Sequence, residues 1–310
     1  MIICINNQLN IFIMKKVVLS ISAMLFVGSV AFAQMGPGPV AGANGSVVAQ
    51  FGLSQDALVE QMGTNQKSKI KQTVSSNDAD VFQGVKPGLM GSPNKSASNT
   101  ADVDQAGNNN NAFISQNNWD NNATQKQVGN DNDATIWQDE ISVSPLSSLV
   151  GDDSATQTQT GNKNKATIDQ GTSGNAPIPT MAVFPLMNSL TSAIPMAPHG
   201  KNDATQTQKG NFNLAYASQG GMRNVSIQNQ DSNGRMTSTS ARNESNHYQF
   251  GADNYAKSTQ TGYRNLDNIL QEGINHKSFT TQTTSVGGPG NNSSVSQQGI
   301  GHISNVTQSN

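Results

Sequence analysis

Charge, aromatic rings and cysteine are all scarce in this chain. Of its 310 residues, 12% are charged, 5% aromatic and 34% hydrophobic. An ordinary globular domain is nearer a quarter charged and half apolar. The shortage excludes a conventional Leu/Ile/Phe core, let alone the two domains that the length would allow. The single cysteine, Cys4, excludes a disulfide framework and a cysteine-based zinc site. Four scattered histidines make no His-rich metal site. A formal net charge of −2 supplies no basic field for nucleic acid, so none is expected as a partner. No G-x-S-x-G, H-E-x-x-H, P-loop or Rossmann fingerprint is present. The carboxylate clusters Asp131/Asp133, Asp139/Glu140 and Asp152/Asp153 fall in expected turns and insertions, where acids are solvated. Neither catalysis nor a cofactor is expected.

Long apolar runs are also missing, with one exception. Val17–Val30 follows Lys15 and Lys16 and precedes Ala31-Phe32-Ala33, a small-x-small cleavage site. These are the parts of a secretory signal peptide. The natural start is then Met14, with cleavage after Ala33, and residues 1–33 are excluded from fold reasoning. The exported chain is expected to have no membrane span. Residues 34–56, which open on a Gly/Pro stretch, read as a flexible leader, and residues 57–310 as the folded part.

What the chain does have is amide. Roughly a fifth of its residues are Asn or Gln, a bias typical of low-complexity chains. Here the amides keep a strict register. Four stretches read Q-x-G-N-x-N-x-A-x-x-x-Q. The first holds Gln105, Gly107, Asn110, Ala112 and Gln116, and the second Gln127, Gly129, Asn132, Ala134 and Gln138. The third holds Gln159, Gly161, Asn164, Ala166 and Gln170, and the fourth Gln208, Gly210, Asn213, Ala215 and Gln219. Looser units start at Gln61, Gln83, Gln230, Gln249, Gln271 and Gln297. Several keep the second Gln, at Gln72, Gln260, Gln282 and Gln308, or the glycine, at Gly251, Gly273 and Gly299; Asn254 and Ala256 complete the unit from Gln249. The commonest spacing between anchors is 22 residues, as from Gln61 to Gln83. Self-similarity at such a period signals a repeat architecture.

Within a unit, small or apolar residues alternate with variable polar ones, and Gly/Asn clusters separate two alternating runs. Period-2 alternation places one set on the inner face of a strand. Each unit is therefore expected to be strand-turn-strand. A single such unit cannot bury its inner face, but stacked units can. The expected fold is all-β, a parallel β-solenoid of two facing sheets with about ten rungs. Inward residues then form ladders in which each Gln amide donates to the next rung and accepts from the last. Insertions are expected at about 139–154, 171–203 and 283–292. The second is rich in proline and carries Met181, Phe184, Leu186, Met187, Leu190, Ile194 and Met196. It reads either as a loop folded on the flank or as a patch for a partner. His276 and His302 occupy the Asn position of consecutive units, as neutral hydrogen-bonding groups.

The frame Q-x-G-x-x-N-x-A-x-x-x-Q resembles the curlin repeat of bacterial curli subunits, over about 57–310. Gln249, Gly251, Asn254, Ala256 and Gln260 match it throughout. The resemblance implies a subunit that leaves the cell unfolded and polymerises on the surface as functional amyloid, supporting adhesion and biofilm matrix. Implied partners are the chain itself, a nucleator subunit and an export machinery. This chain departs from the family pattern in having ten units and insertions. Pro87 and Pro93 follow Gln83, and Arg235 stands at the Asn position after Gln230. The alternative reading is a monomeric or surface-anchored solenoid adhesin that binds a glycan or surface. Uncapped terminal rungs favour the filament.

Overall fold

The computed structural model describes residues 43–84, 97–138, 151–171, 200–232, 242–285 and 288–310. Among these residues there is no helix, and nineteen strands alternate between two sheets. The first sheet stacks β1 (Gly45–Leu53), β3 (Lys67–Ser75), β5 (Thr100–Asn108), β7 (Asn122–Val128), β9 (Ser154–Thr160), β11 (Asp203–Lys209), β13 (Val225–Asp231), β15 (Tyr255–Thr261), β17 (Lys277–Thr283) and β19 (Ile303–Ser309). The second stacks β2 (Asp56–Gln61), β4 (Asp78–Gln83), β6 (Asn111–Gln116), β8 (Asp133–Gln138), β10 (Lys165–Gln170), β12 (Leu214–Met222), β14 (Glu244–Ala252), β16 (Leu266–Ile274) and β18 (Asn292–Ile300). All pairings are parallel and in register, for example Ala112 on Ala134, Ile114 on Ile136 and Gln116 on Gln138. The chain is a parallel β-solenoid, roughly 45 Å long at the usual strand spacing.

The alternation in sequence becomes alternation in burial. In β9, Ala155, Gln157 and Gln159 are buried, and Ser154, Thr156 and Thr158 are half-exposed. The inner space is narrow, so alanines fill one column: Ala79, Ala112, Ala134, Ala166 and Ala215. Beside it runs an aliphatic column of Val81, Ile114, Ile136, Ile168 and Ala217. Ile70 and Val103 face them from the first sheet as part of the same core. Burying each of the larger side chains contributes about 1.5–3 kcal/mol.

At the corners the chain reverses sharply, and here the glycines are found at the edge. Gly107, Gly129, Gly161 and Gly210 stack one above another with φ of 130°, 121°, 119° and 87°. A Cβ on Gly107 would sit 1.8 Å from the carbonyl oxygen of Gly129. The repeat glycines therefore do not line the interior, as the alternation suggested. They are half-exposed, Gly299 fully so, and they serve close stacking of successive corners.

Two further expectations are corrected. The leader was expected to reach 56, but β1 and the start of β2 occupy Gly45–Asp56. Gln50, Gly52 and Gln61 repeat the frame, with Gln55 in the Asn place. The stack holds nine two-strand rungs and the single strand β19, in keeping with about ten rungs. The anchor column also changes sheet twice. Gln61, Gln83, Gln249, Gln271 and Gln297 lie in the nine-stranded sheet, whereas Gln105, Gln127, Gln159, Gln208 and Gln230 lie in the ten-stranded one. The cause is two interruptions beyond the three expected, between β4 and β5 and between β13 and β14. At the expected breaks 139–154, 171–203 and 283–292, the described Asp153 and Asn202 belong to the corner column, and Ser154, Asp203, Thr283 and Asn292 to β9, β11, β17 and β18. Residues 1–42, 85–96, 139–150, 172–199, 233–241 and 286–287 lie outside the described residues. The signal segment and the apolar Pro/Met-rich insertion are among them.

Candidate functional site: amide ladders and the ends of the stack

Two glutamine ladders run the length of the stack. In the ten-stranded sheet Gln50, Gln72, Gln105, Gln127, Gln159, Gln208, Gln230, Gln260, Gln282 and Gln308 are linked in order. In the nine-stranded sheet the order is Gln61, Gln83, Gln116, Gln138, Gln170, Gln219, Gln249, Gln271 and Gln297. In every link the earlier Nε2 donates to the later Oε1, as from Gln105 to Gln127 at 2.8 Å. The same nitrogen donates its other hydrogen to a backbone carbonyl across the interior: Gln72 to Asp56 at 2.7 Å and Gln83 to Lys67 at 2.9 Å. Each glutamine thus ties a rung to the next and one sheet to the other. A buried amide left without such partners costs about 1–3 kcal/mol. The repeat frame points to these residues but not to the shorter ladder Gln125, Gln157, Gln206 and Gln228. The signal was available in the motif A-T-Q-x-Q of β7, β9 and β11.

Asparagines hold the corners with the opposite polarity. At one edge Asn77, Asn110, Asn132, Asn164, Asn213, Asn243, Asn265 and Asn291 stack, and the later Nδ2 donates to the earlier Oδ1. At the other edge the column is Asn44, Gln66, Asn99, Asn121, Asp153, Asn202, Asn224, Asn254, His276 and His302. There each side chain accepts the backbone N–H of the next corner residue. His276 stands in for asparagine. Its Nδ1 accepts from the His302 N–H at 3.3 Å, and Nε2 donates to the Glu272 carbonyl at 3.1 Å. The two imidazoles stack 5.2 Å apart and 4° from parallel.

The interior of the later rungs is largely polar, with Ala256, Ile269 and Val295 as a small apolar cluster. Ser226 Oγ lies 2.8 Å from His247 Nδ1, and Ser258 Oγ lies 2.6 Å from Nε2. Ser258 donates to Asp267, whose carboxylate is 3.9 Å from the imidazole. Burial depresses His247 to about 3 and raises Asp267 to about 6 against the hydrogen bond from Ser258. Ser, His and Asp are the residue types of a nucleophilic triad, but His247 and Asp267 are 0% exposed, sealed between the sheets.

The two ends of the stack are complementary. At the first, Gln50 and Gln61 donate forward, and among the described residues their Oε1 atoms accept no hydrogen bond. At the last, Gln308 donates to the Asn292 carbonyl and Gln297 to the Lys277 carbonyl, and each has a second amide hydrogen left over. Large apolar side chains are exposed at both: Val47, Phe51, Leu53 and Leu58 at one, Ile300 and Ile303 at the other. In the common register Val48 and Gln50 of β1 correspond to Val306 and Gln308 of β19. No family model matches the chain, and no curated protein matches it.

Proposed function

We propose that the chain is a secreted structural subunit that stacks head-to-tail into curli-like fibres on the cell surface, for adhesion and biofilm matrix. The observation that carries the proposal is the match between the ends. Among the described residues Gln50 at one end has a free acceptor and Gln308 at the other a free donor, in the same inward column. Two chains stacked in one direction continue the ladder, and two in opposite directions do not. A heterologous contact of this kind makes an open filament. The repeat frame and the resemblance to curlin repeats support the same reading.

The test is to purify the chain from Gln34 onward and follow it by light scattering and fibre diffraction. Filaments should give reflections near the 4.7–4.8 Å strand repeat and about 10 Å between sheets. A chain that stays monomeric for days at tens of micromolar overturns the proposal. The second reading is a monomeric, surface-bound solenoid. It draws on an outward row of rings on the nine-stranded sheet, with Phe82, Phe113 and Trp137 at centroid spacings of 5.6 and 4.6 Å. Loss of glycan or surface binding by Trp137→Ala, with no change in assembly, would favour it.

A further inference from the structure

The two sheets end out of step. β19 is the outermost strand of the ten-stranded sheet, and among the described residues no strand faces it in the other sheet, so β18 is the edge there. The result is a notch one strand wide, with a cavity of about 560 Å³. Its wall is the edge of β18, from Ser294 to Gln298, and its floor includes Ser304 and Val306 of β19. The wall carries the side chains of one rung in order: Ser293, Val295 and Gln297 point inward, in the columns that elsewhere hold Ala, Ile and Gln. Gln297 accepts from Gln271 and donates to Lys277, so its remaining amide hydrogen is aimed along the ladder, with no acceptor among the described residues.

The described strands of a second copy stacked head-to-tail do not fill this notch. Its β1 would continue β19, and its β2 lies level with that β1, in the same rung. No described strand then lies between β18 and the incoming β2. We propose that the notch is an acceptor site for one parallel β-strand of a separate polypeptide, of the form x-small-x-aliphatic-x-Gln. The incoming backbone completes the edge of β18, its small and aliphatic side chains cover Ser293 and Val295, and its Gln accepts from Gln297. Strand addition of this kind takes affinity from main-chain hydrogen bonds and specificity from alternate side chains. The site belongs to the single chain, so it stands whether or not the chain polymerises.

The probe is a capped synthetic peptide with the sequence of β10, Lys-Ala-Thr-Ile-Asp-Gln, added to the chain from Gln34 onward. Hydrogen exchange is read residue by residue. Binding at one peptide per chain should slow exchange in Asn292–Gln298 by about tenfold or more, with Asp56–Gln61 unchanged. The same peptide with Asp in place of its Ile should bind at least about tenfold more weakly, because the charge meets Val295 and Val306. Three results overturn the proposal: no slowing at millimolar peptide, equal slowing at both ends of the stack, or faster exchange in Ile303–Ser309. The last would mean that the incoming strand displaces β19 rather than filling the notch. Filaments that form normally without binding the peptide would sink this inference alone.

Discussion

Gln159 illustrates what one residue does in this molecule. Its amide accepts from Gln127 and donates to Gln208 and to the carbonyl of Asp133. Truncating it leaves both neighbours short of a partner. Gln159→Ala and Gln170→Ala should each destabilise the chain by about 1–3 kcal/mol in urea unfolding and slow growth on wild-type seeds. Thr158→Ala and Lys163→Ala, on the outer face and at a corner, should stay within about 0.5 kcal/mol. If the outer pair proves the more damaging, inside and outside have been exchanged.

His247 and Asp267 make a second test at this scale. The folded carboxyl is raised from 3.8 to about 6, so its contribution is largest at low pH and is lost as pH rises through 6. The folded imidazole is depressed from 6.5 to about 3, so its contribution is present above 6.5 and is lost as pH falls towards 3. Between about pH 4 and 6 the folded chain holds one proton on Asp267, and the unfolded chain holds one on His247. The two dependences oppose each other, and stability from this pair should be nearly flat. Asp267→Asn should expose the histidine and make the chain less stable as pH falls below 6.5. His247→Gln should expose the carboxyl and make it more stable as pH falls from 6 to 4. Urea midpoints across pH check both slopes.

At the scale of strands and corners, the glycines separate sharply. A Cβ on Gly129 would lie 1.9 Å from the Gly161 carbonyl at a φ of 121°, while nothing lies within 4 Å of a Cβ on Gly45. Gly129→Ala should cost more than about 1 kcal/mol in urea unfolding, and Gly45→Ala should be nearly neutral. Strand existence and facing were legible in the sequence because alternation is a local property. The allocation of strands to sheets was not, and the reason is the symmetry of the unit. Both halves read as alternation ending in Gln, so an interruption of half a period leaves the spacing intact. Gln83 to Gln105 is 22 residues, yet they lie in different sheets; the true ladder steps are Gln72 to Gln105 and Gln83 to Gln116, 33 residues each. The His247–Asp267 pair was equally hidden, since Ser226, His247, Ser258 and Asp267 come from four strands. The strand β1 could have been found: Gln50 and Gly52 follow the frame, but the Gly/Pro stretch before them suggested a leader.

Along the whole molecule the core changes character. β3 to β12 enclose Ile70, Val81, Val103, Ile114, Ile136 and Ile168, whereas β13 to β18 enclose Ser226, Ser245, His247, Ser258, Asp267 and Thr280 beside a smaller cluster of Ala256, Ile269 and Val295. Apolar burial is the dominant favourable term in folding. The later rungs should therefore open first, with faster amide exchange in β13–β17 than in β5–β10. Uniform exchange along the stack would show that hydrogen-bonded polar layers hold as well as aliphatic ones.

The opposed polarity of the ladders has an electrical consequence. Each side-chain amide is a small dipole lying along the stack. Glutamines point their hydrogens towards the last rung, and corner asparagines point theirs towards the first. The two sets oppose each other, and the strands, lying across the axis, contribute only a small net moment. An α-helix gathers partial charge at its ends because its peptide dipoles align. Here each rung brings opposing moments, so little field builds up from the first rung of the stack to the last.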